Sequence, residues 1–382
     1  WNPDLQLTTG YVKTGIVIVG MQTIKNLLCF MNVHNQPSMI ALWMSELYLT
    51  RDRVTINHIE YCLVHQTLPS NYMWAQELVK LSDHPIEVSK GEAKENAKVS
   101  WIHSSTPLVS LIIPTKNAKL LVQACIESIL SKTLYSHYEI LLIDNNSDDP
   151  DALSYFEYLE NTQKNIRVIK YPFAFNYSAI NNFAAKHAKG EIIGLVNNDI
   201  EVISPNWLSD MVGHAQRDDI GCVGAKLLYP DNRIQHAGVV MGYGGGAGHA
   251  HKYFPRYHSG YLHRLVATNN FSAVTAACLL VKKSDFESVN GLNERDLTVA
   301  FNDVDFCLNI LNLGRRNIYC AEAELYHHES VSRGYEDTKE KQQRFQSELQ
   351  YLTTQWASYI SHDPAYNPNL TLRRENFSID ES

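Results

Sequence analysis

Three short polar stretches of this chain carry residue types that could act on a phosphorylated substrate. Asn197-Asn198-Asp199 directly follows the apolar run IIGLV, so Asp199 ends a strand where its carboxylate can face a ligand. A short acidic motif of this kind suits a hard divalent cation, because Mg2+ takes one or two protein carboxylates and fills its other positions with water and phosphate oxygens. The same Asp199 could instead cap the following turn. In Phe301-Asn302-Asp303-Val304-Asp305 the two carboxylates are two residues apart, which on a helix places them on different faces. One can then reach a cleft as a general base while the other caps or pairs inside the protein. Tyr326-His327-His328-Glu329, followed by Ser330, Ser332 and Arg333, offers a neutral imidazole as a nitrogen ligand, or an ordinary hydrogen-bonded histidine. Asp144 closes the run YEILLID; it can contact a ligand or join Ser147 and Asp148 in a helix N-cap cluster.

The elements that must position these residues are legible from Leu108 onward. VSLIIP reads as a buried strand, KLLVQACIESIL as a helix and YEILLID as a second buried strand. The alternation continues with a helix near Asp151 to Asn161, a strand at Ile166 to Tyr171, a helix at Tyr177 to His187, the strand EIIGLV and a helix from Pro205. This predicts an α/β domain with a mainly parallel sheet covered by helices on both faces. Ligands of such sheets bind outside the carboxyl ends of the strands, where Pro114-Thr115-Lys116-Asn117, Asp144-Asn145-Asn146-Ser147 and Asn197-Asn198-Asp199 all fall. Residues 82–106 are of mixed charge and end in HSSTP, as expected of a linker or of a strap over the next domain. The glycines between Gly242 and Gly248, near His249 and His251, read as a loop, either flexible or covering a substrate.

Composition bounds the alternatives. The chain has 382 residues, 45% hydrophobic and 19% charged, enough for two or three domains and far from the composition of a disordered chain. With 33 Lys plus Arg against 41 Asp plus Glu, the net charge is −8, which disfavours nucleic acid as a partner. The apolar runs Gly15 to Gly20 and Leu108 to Pro114 fall short of the roughly 18 to 20 residues that span a bilayer. Seven scattered cysteines without a Cys-x-x-Cys pair suit a reducing, cytoplasmic setting. The chain opens at Trp1 without Met or a signal-like start, and is read as a segment of a longer protein. No G-x-G-x-x-G or G-x-x-x-x-G-K-[ST] is present, which disfavours dinucleotide and P-loop phosphate cradles.

Taken in order, LVSLIIPTKN, YEILLIDNNSDD, FNYSAINNFAAKHAKGEIIGLVNNDIEVISPNWL, GCVGAKLLYPDNRIQHAGVV, TAACLLVKKSDF, FNDVDFCLNI and AELYHHESVSRG resemble bacterial family 2 glycosyltransferases of the kind that build O-antigen and capsular polysaccharides. The resemblance spans about residues 107–370. It implies the GT-A fold, a Rossmann-like, mostly parallel mixed sheet flanked by helices. It also implies inverting transfer of a sugar from a nucleoside diphosphate donor, UDP- or dTDP-linked, to a glycan or lipid-linked glycan. Under the resemblance, Asp199 is a ligand of a divalent cation, Mn2+ or Mg2+, with Asn197 standing where many relatives have the motif's first Asp. The metal-site histidine is His327, or His328 if the doubled pair is aligned one residue further on. Pro114, Thr115, Asn117, Asp144, Asn176, Asn197 and Asn198 bind the nucleotide sugar, and Asp303 is the catalytic base.

The expected organisation is an N-terminal appendage and linker over residues 1–105 and a GT-A domain with a C-terminal helical tail over 106–382. Asn57 to Gln66 is similar to the closing segment of a related glycosyltransferase domain, so the appendage is either the remnant of such a domain in a larger synthase or a small packing element. The implied location is the bacterial cytoplasm, with peripheral attachment to the inner membrane face as a further expectation. Two rival readings stand beside this one: a sugar nucleotidyltransferase, and a non-catalytic domain that binds glycan or scaffolds a synthase.

Overall fold

Buried strands arise where aliphatic residues run without a polar face, and helices where apolar residues recur every three to four positions. The computed structural model describes residue 4 and residues 85–91, 96–102, 105–328 and 338–380. The apolar run Gly15 to Gly20, the stretch Asn57 to Gln66 and the polar residues from Glu329 to Arg333 lie outside the described residues. In chain order the elements are β1 (Ile86–Lys90), β2 (Ala97–Trp101), β3 (Val109–Thr115), α1 (Lys119–Lys132), β4 (Tyr138–Asp144), α2 (Pro150–Thr162), β5 (Ile166–Lys170), α3 (Tyr177–His187) and β6 (Ile192–Val196). There follow β7 (Ile200–Val202), α4 (Trp207–Ala215), β8 (Ile220–Leu228), β9 (Ile234–His236), β10 (Val239–Met241), β11 (Ala247–His249) and β12 (Asn269–Phe271). The last are β13 (Cys278–Lys282), α5 (Lys283–Ser288), α6 (Asn302–Asn312), β14 (Arg316–His327), α7 (Lys339–Gln355) and α8 (Ala357–Ser361).

Among the described residues, the main sheet has ten strands in the order β12-β14-β8-β13-β6-β3-β4-β5, with β7 paired to β14 and β9 to β8. The expected parallel alternation holds for β5, β4, β3 and β6. It then gives way to a mixed half, because β13 enters antiparallel to both β6 and β8. Alternate residues of each strand serve opposite faces. Leu111 and Ile113 pack with Val122 and Ile126 of α1, Phe156 of α2 and Trp207 of α4. Ile112 packs in the opposite layer with Ile180 of α3, Phe286 of α5 and Phe306 of α6.

Two segments read from sequence as connections have definite structure. Within 82–106, β1 and β2 form an antiparallel hairpin with Ile86 opposite Trp101. Lys98 of this hairpin pairs with Asp210 of α4 at 2.7 Å, and the Asn96 side chain donates to the Val266 carbonyl at 2.6 Å. The glycine-rich turn joins β10 to β11 and is covered by the C-terminal segment: Met241 N donates to Asp363 at 2.8 Å, and a Cβ on Gly242 would lie 2.8 Å from the Ile360 carbonyl. No helix among the described residues is long and apolar enough to cross a membrane.

The mixed half is anchored by a buried ion cluster. Lys226 of β8, with no exposed surface, pairs with Glu324 of β14 at 2.8 Å and donates to the Arg256 carbonyl at 3.1 Å. The Arg256 guanidinium grips the same carboxylate, with bonds of 3.2 and 2.5 Å. Burial pushes the Glu324 carboxyl up, but Lys226 and Arg256 outweigh it and hold it below the usual range. Breaking a buried pair from one side leaves its partner's charge poorly compensated. Lys226→Met should therefore destabilise the protein by about 3 kcal/mol, read as a lower urea midpoint. A midpoint unchanged from wild type would show that the cluster does not anchor this half.

Candidate functional site

The carboxyl ends of β3, β4 and β6 meet at one edge of the sheet, and their polar residues are tied to one another. Asn198 donates from its side-chain amide to the Thr115 hydroxyl at 3.0 Å, and Asn145 N donates to the Thr115 carbonyl at 2.8 Å. Asp144, 4% exposed, accepts the Ser147 N–H, three residues on, at 2.9 Å and so closes the turn after β4. Asn117 sits in the left-handed region at φ 54°. Its side-chain oxygen accepts the N–H groups of Asp148 and Asp149 at 2.9 and 3.0 Å, and its amide donates to the Asp148 carboxylate at 2.8 Å. It thus clasps the β3 and β4 loops together. Pro114 lies in β3 opposite Ile143. Asn176 caps α3, accepting Ala179 N at 2.9 Å and donating to the Glu294 carbonyl at 2.8 Å.

Beyond β6, the antiparallel pairing of β7 with β14 sets His327 opposite Ile200 and so beside Asp199. The His327 Nε2 lies 3.2 Å from the Asp199 carboxylate and 3.2 Å from the Asn197 side-chain nitrogen. Asp199 and His327 are 4% and 6% exposed. The Asn197 amide and the Asp199 carboxylate thus converge on the same ring nitrogen of His327. The donor set is one carboxylate oxygen and one imidazole nitrogen, buried at the carboxyl edge of the sheet, and among the described residues no third His, Cys, Asp or Glu completes a cluster with them. This fits a divalent cation of the Mn2+ or Mg2+ type whose remaining positions come from phosphate oxygens and water. His328 points elsewhere, 3.3 Å from the Glu201 carboxylate.

The acidic pair of α6 divides as its helical spacing requires. Asp305 is buried and accepts the Trp356 indole N–H at 2.7 Å; burial pushes its carboxyl above the usual range, with the indole bond acting the other way. Asp303, half-buried, accepts Ala276 N at 3.0 Å on one oxygen and Val304 N at 2.9 Å on the other. The next residue, Ala277, accepts Asn197 N through its carbonyl at 2.9 Å. Successive residues of one segment therefore contact Asp303 on one side and the Asn197 backbone on the other. Tyr177, at the start of α3, places its hydroxyl 3.1 Å from the Ala276 carbonyl and 3.3 Å from the Asn197 side-chain oxygen. Tyr177 and the Ala276-Ala277 segment were not among the residues expected from sequence. Their part rests on backbone groups and a long-range contact, for which no local motif exists.

Residues 110–288 match the family model described as glycosyl transferase family 2. The chain is 49% identical over 304 residues, 80% of its length, to protein y4gI of Sinorhizobium fredii. It is 38% identical over 287 residues, 72% of its length, to the O-antigen biosynthesis protein RfbC of Myxococcus xanthus. It spans only 33% and 21% of these two relatives. Among solved structures, it superposes on GalNAc-T7 with UDP, GalNAc and Mn2+ at a TM-score of 0.53 and 12% identity, covering 70% of this chain and 53% of that one. That likeness is one of fold, the GT-A arrangement.

The clasp role of Asn117 is separable from any contact with a ligand. Asn117→Gly keeps the left-handed backbone accessible and removes the three side-chain bonds, and should cost about 1–2 kcal/mol of stability in urea unfolding. Stability equal to wild type would show that the two loops do not need the clasp.

Proposed function

Given that this chain belongs to glycosyl transferase family 2, we propose that it transfers a sugar, with inversion, from a UDP- or dTDP-linked donor to a glycan or lipid-linked glycan acceptor in bacterial surface polysaccharide synthesis. The observation that carries this reading is the joining of two groups on one segment. Asp303 holds Ala276 N, and the Asn197 backbone beside Asp199 and His327 holds the Ala277 carbonyl. A displacement of this class needs a proton acceptor on one side of the anomeric carbon and charge neutralisation on the other.

In the proposed reaction Asp303 takes the proton of the acceptor hydroxyl as that oxygen attacks the anomeric carbon. The bond to the nucleoside diphosphate breaks on the opposite face, which inverts the configuration. Asp199 and His327 would hold the divalent cation, which when bound supplies positive charge to the leaving diphosphate. Pro114, Thr115, Asn117, Asp144, Asn176, Asn197 and Asn198 form the nucleotide-sugar side, with Asn117 and Asn176 acting through the loops they fix. Asn197, in place of the more usual Asp, donates to His327 while accepting from Tyr177, which a carboxylate could not do. This gives the departure a positional reason and favours an enzyme over a degenerate scaffold. The catalytic unit comprises residues 106–382, and residues 1–105 are an appendage to it, either the remnant of a related domain in a larger synthase or a small element whose 86–101 hairpin packs on the unit.

The experiment is to incubate the protein with a panel of UDP- and dTDP-sugars, Mn2+ or Mg2+, and lipid-linked glycan acceptors, following nucleoside diphosphate release and the anomeric configuration of the product. Transfer with retained configuration, or pyrophosphate exchange in its place, would overturn the reading. Asp303→Asn should lower turnover by roughly 10^2- to 10^4-fold with donor affinity nearly unchanged. More than about a tenth of wild-type turnover in the folded variant would remove Asp303 as the base. Asp199→Ala should abolish the Mn2+-dependent part of UDP binding in calorimetry. Equal affinities in both proteins, with and without chelator, would take the cation away from Asp199.

A further inference from the structure

The segment Val274–Ala277, between β12 and β13, belongs to no regular strand, yet its backbone is held throughout by side chains. Val274 N lies 3.5 Å from the Cys307 sulfur, and the Cys307 thiol donates to the Val274 carbonyl at 3.5 Å. Thr275 N donates to His236 Nε2 at 3.2 Å, Ala276 N to Asp303 at 3.0 Å, and Ala277 N to the Thr275 hydroxyl at 3.3 Å. The segment crosses β8 over Gly224, where a Cβ would lie 2.5 Å from Val274. A non-repetitive stretch whose amides end on side chains takes its shape from those side chains.

His236 is the anchor in this set that ties the strap to the central sheet. It has no exposed surface, and its Nδ1 lies 2.9 Å from the Ala225 carbonyl of β8. A carbonyl can only accept, so the proton is on Nδ1 and Nε2 carries the lone pair. Two N–H groups converge on that lone pair, Thr275 N at 3.2 Å and Gly238 N at 3.3 Å. Burial, and next to it the neighbouring His249, hold the imidazole far below its ordinary range, in keeping with this neutral form.

We propose that His236 is a positioning residue for sugar transfer: by accepting the Thr275 N–H at Nε2 it fixes the strap that presents the Ala276 N–H to Asp303, and so sets the orientation of the base carboxylate. The inference rests on the reading of Asp303 as the base. Its action is one residue removed from that carboxylate, so loss of the Nε2 acceptor moves the base without removing it. Displacements of about 1 Å at a reacting group lower rates by about 10^2-fold.

The test compares His236→Gln, whose side-chain oxygen can return an acceptor near the Nε2 position, with His236→Met, which fills similar space without one. Turnover in His236→Met should fall about ten- to hundredfold, with UDP·Mn2+ affinity within about twofold of wild type, while His236→Gln recovers most of the rate. Equal turnover in the two variants, or a loss confined to UDP·Mn2+ affinity, overturns the proposal. Asp303→Asn is measured alongside. Full turnover there sinks the base reading, whereas low turnover there with unchanged turnover in His236→Met sinks only the positioning role. Should neither His236 variant fold, hydrogen exchange on the wild-type protein decides. The amides of Thr275 and Ala276 should exchange as slowly as those of β6, and exchange as fast as in the exposed turn at 230–233 refutes the strap.

Discussion

The register between β7 and β14 decides which side chains can meet at the carboxyl edge of the sheet. With His327 opposite Ile200, the imidazole lies against Asp199, and the next residue, His328, turns its ring to Glu201. Side chains alternate along a strand, so a slip of one residue would exchange the two histidines and face the wrong ring toward the carboxylate. The register is secured from both flanks. On one, β14 runs parallel to β8 with Tyr326 beside Leu228; on the other, His328 N donates to the Asp199 carbonyl at 3.0 Å. The buried Lys226–Glu324 pair joins β8 to β14, with Arg256 reaching in from the loop between β11 and β12, just past an irregularity between Cys320 and Glu324. From Cys320 to Glu324 β14 advances four residues while β8 advances one, from Ala225 to Lys226, so the charges fixed immediately after this shift hold the alignment beyond it.

Asp303 reaches the same edge by a different route. α6 begins at Asn302 after a residue, Phe301, in the left-handed region at φ 60°, so the chain turns sharply before the helix. The approach to that turn is held from the C-terminal side. Glu348 of α7 accepts the Thr298 hydroxyl and the N–H groups of Val299 and Ala300 at 2.8 to 3.0 Å, and Trp356 donates to Asp305. The C-terminal helices therefore fix both the entry to α6 and its inward carboxylate, leaving Asp303 to face the Val274–Ala277 strap. One acid of the pair anchors the helix through Trp356, and the other accepts two backbone N–H groups, those of Ala276 and Val304.

Much of this was legible in the sequence because it is local. The strands Val109–Thr115, Tyr138–Asp144 and Ile192–Val196 are aliphatic runs that end in polar loops, and the helices between them carry apolar residues at helical spacing. The separation of Asp303 from Asp305 followed from helix geometry alone. The antiparallel entry of β13 did not, since CLLVK looks the same whichever way it pairs. Nor did the hairpin within 82–106, where alternating burial in IEVSK and AKVSW is too short to separate from a linker. Asn117 and Asn176 illustrate a further limit. An asparagine at a strand end or helix start reads as a ligand contact or a cap with equal ease, and only its hydrogen-bond partners, about thirty residues away for Asn117 and more than a hundred for one bond of Asn176, reveal that both amides are engaged within the protein.

The same partners explain why an amide suits position 197. Its side chain donates toward His327 and receives the Tyr177 hydroxyl, while its backbone N–H fixes Ala277. With an Asp in its place, the donor to His327 would be lost and a second negative charge would stand beside Asp199 in a nearly dry site. A like-charge pair of carboxylates disfavours ionisation of both unless a cation is bound. Asn197 avoids that repulsion. The charge that a cation meets from the protein is then concentrated on Asp199, with the nitrogen of His327 beside it. Under the proposed function, phosphate oxygens of the donor and water would complete the shell of such a cation.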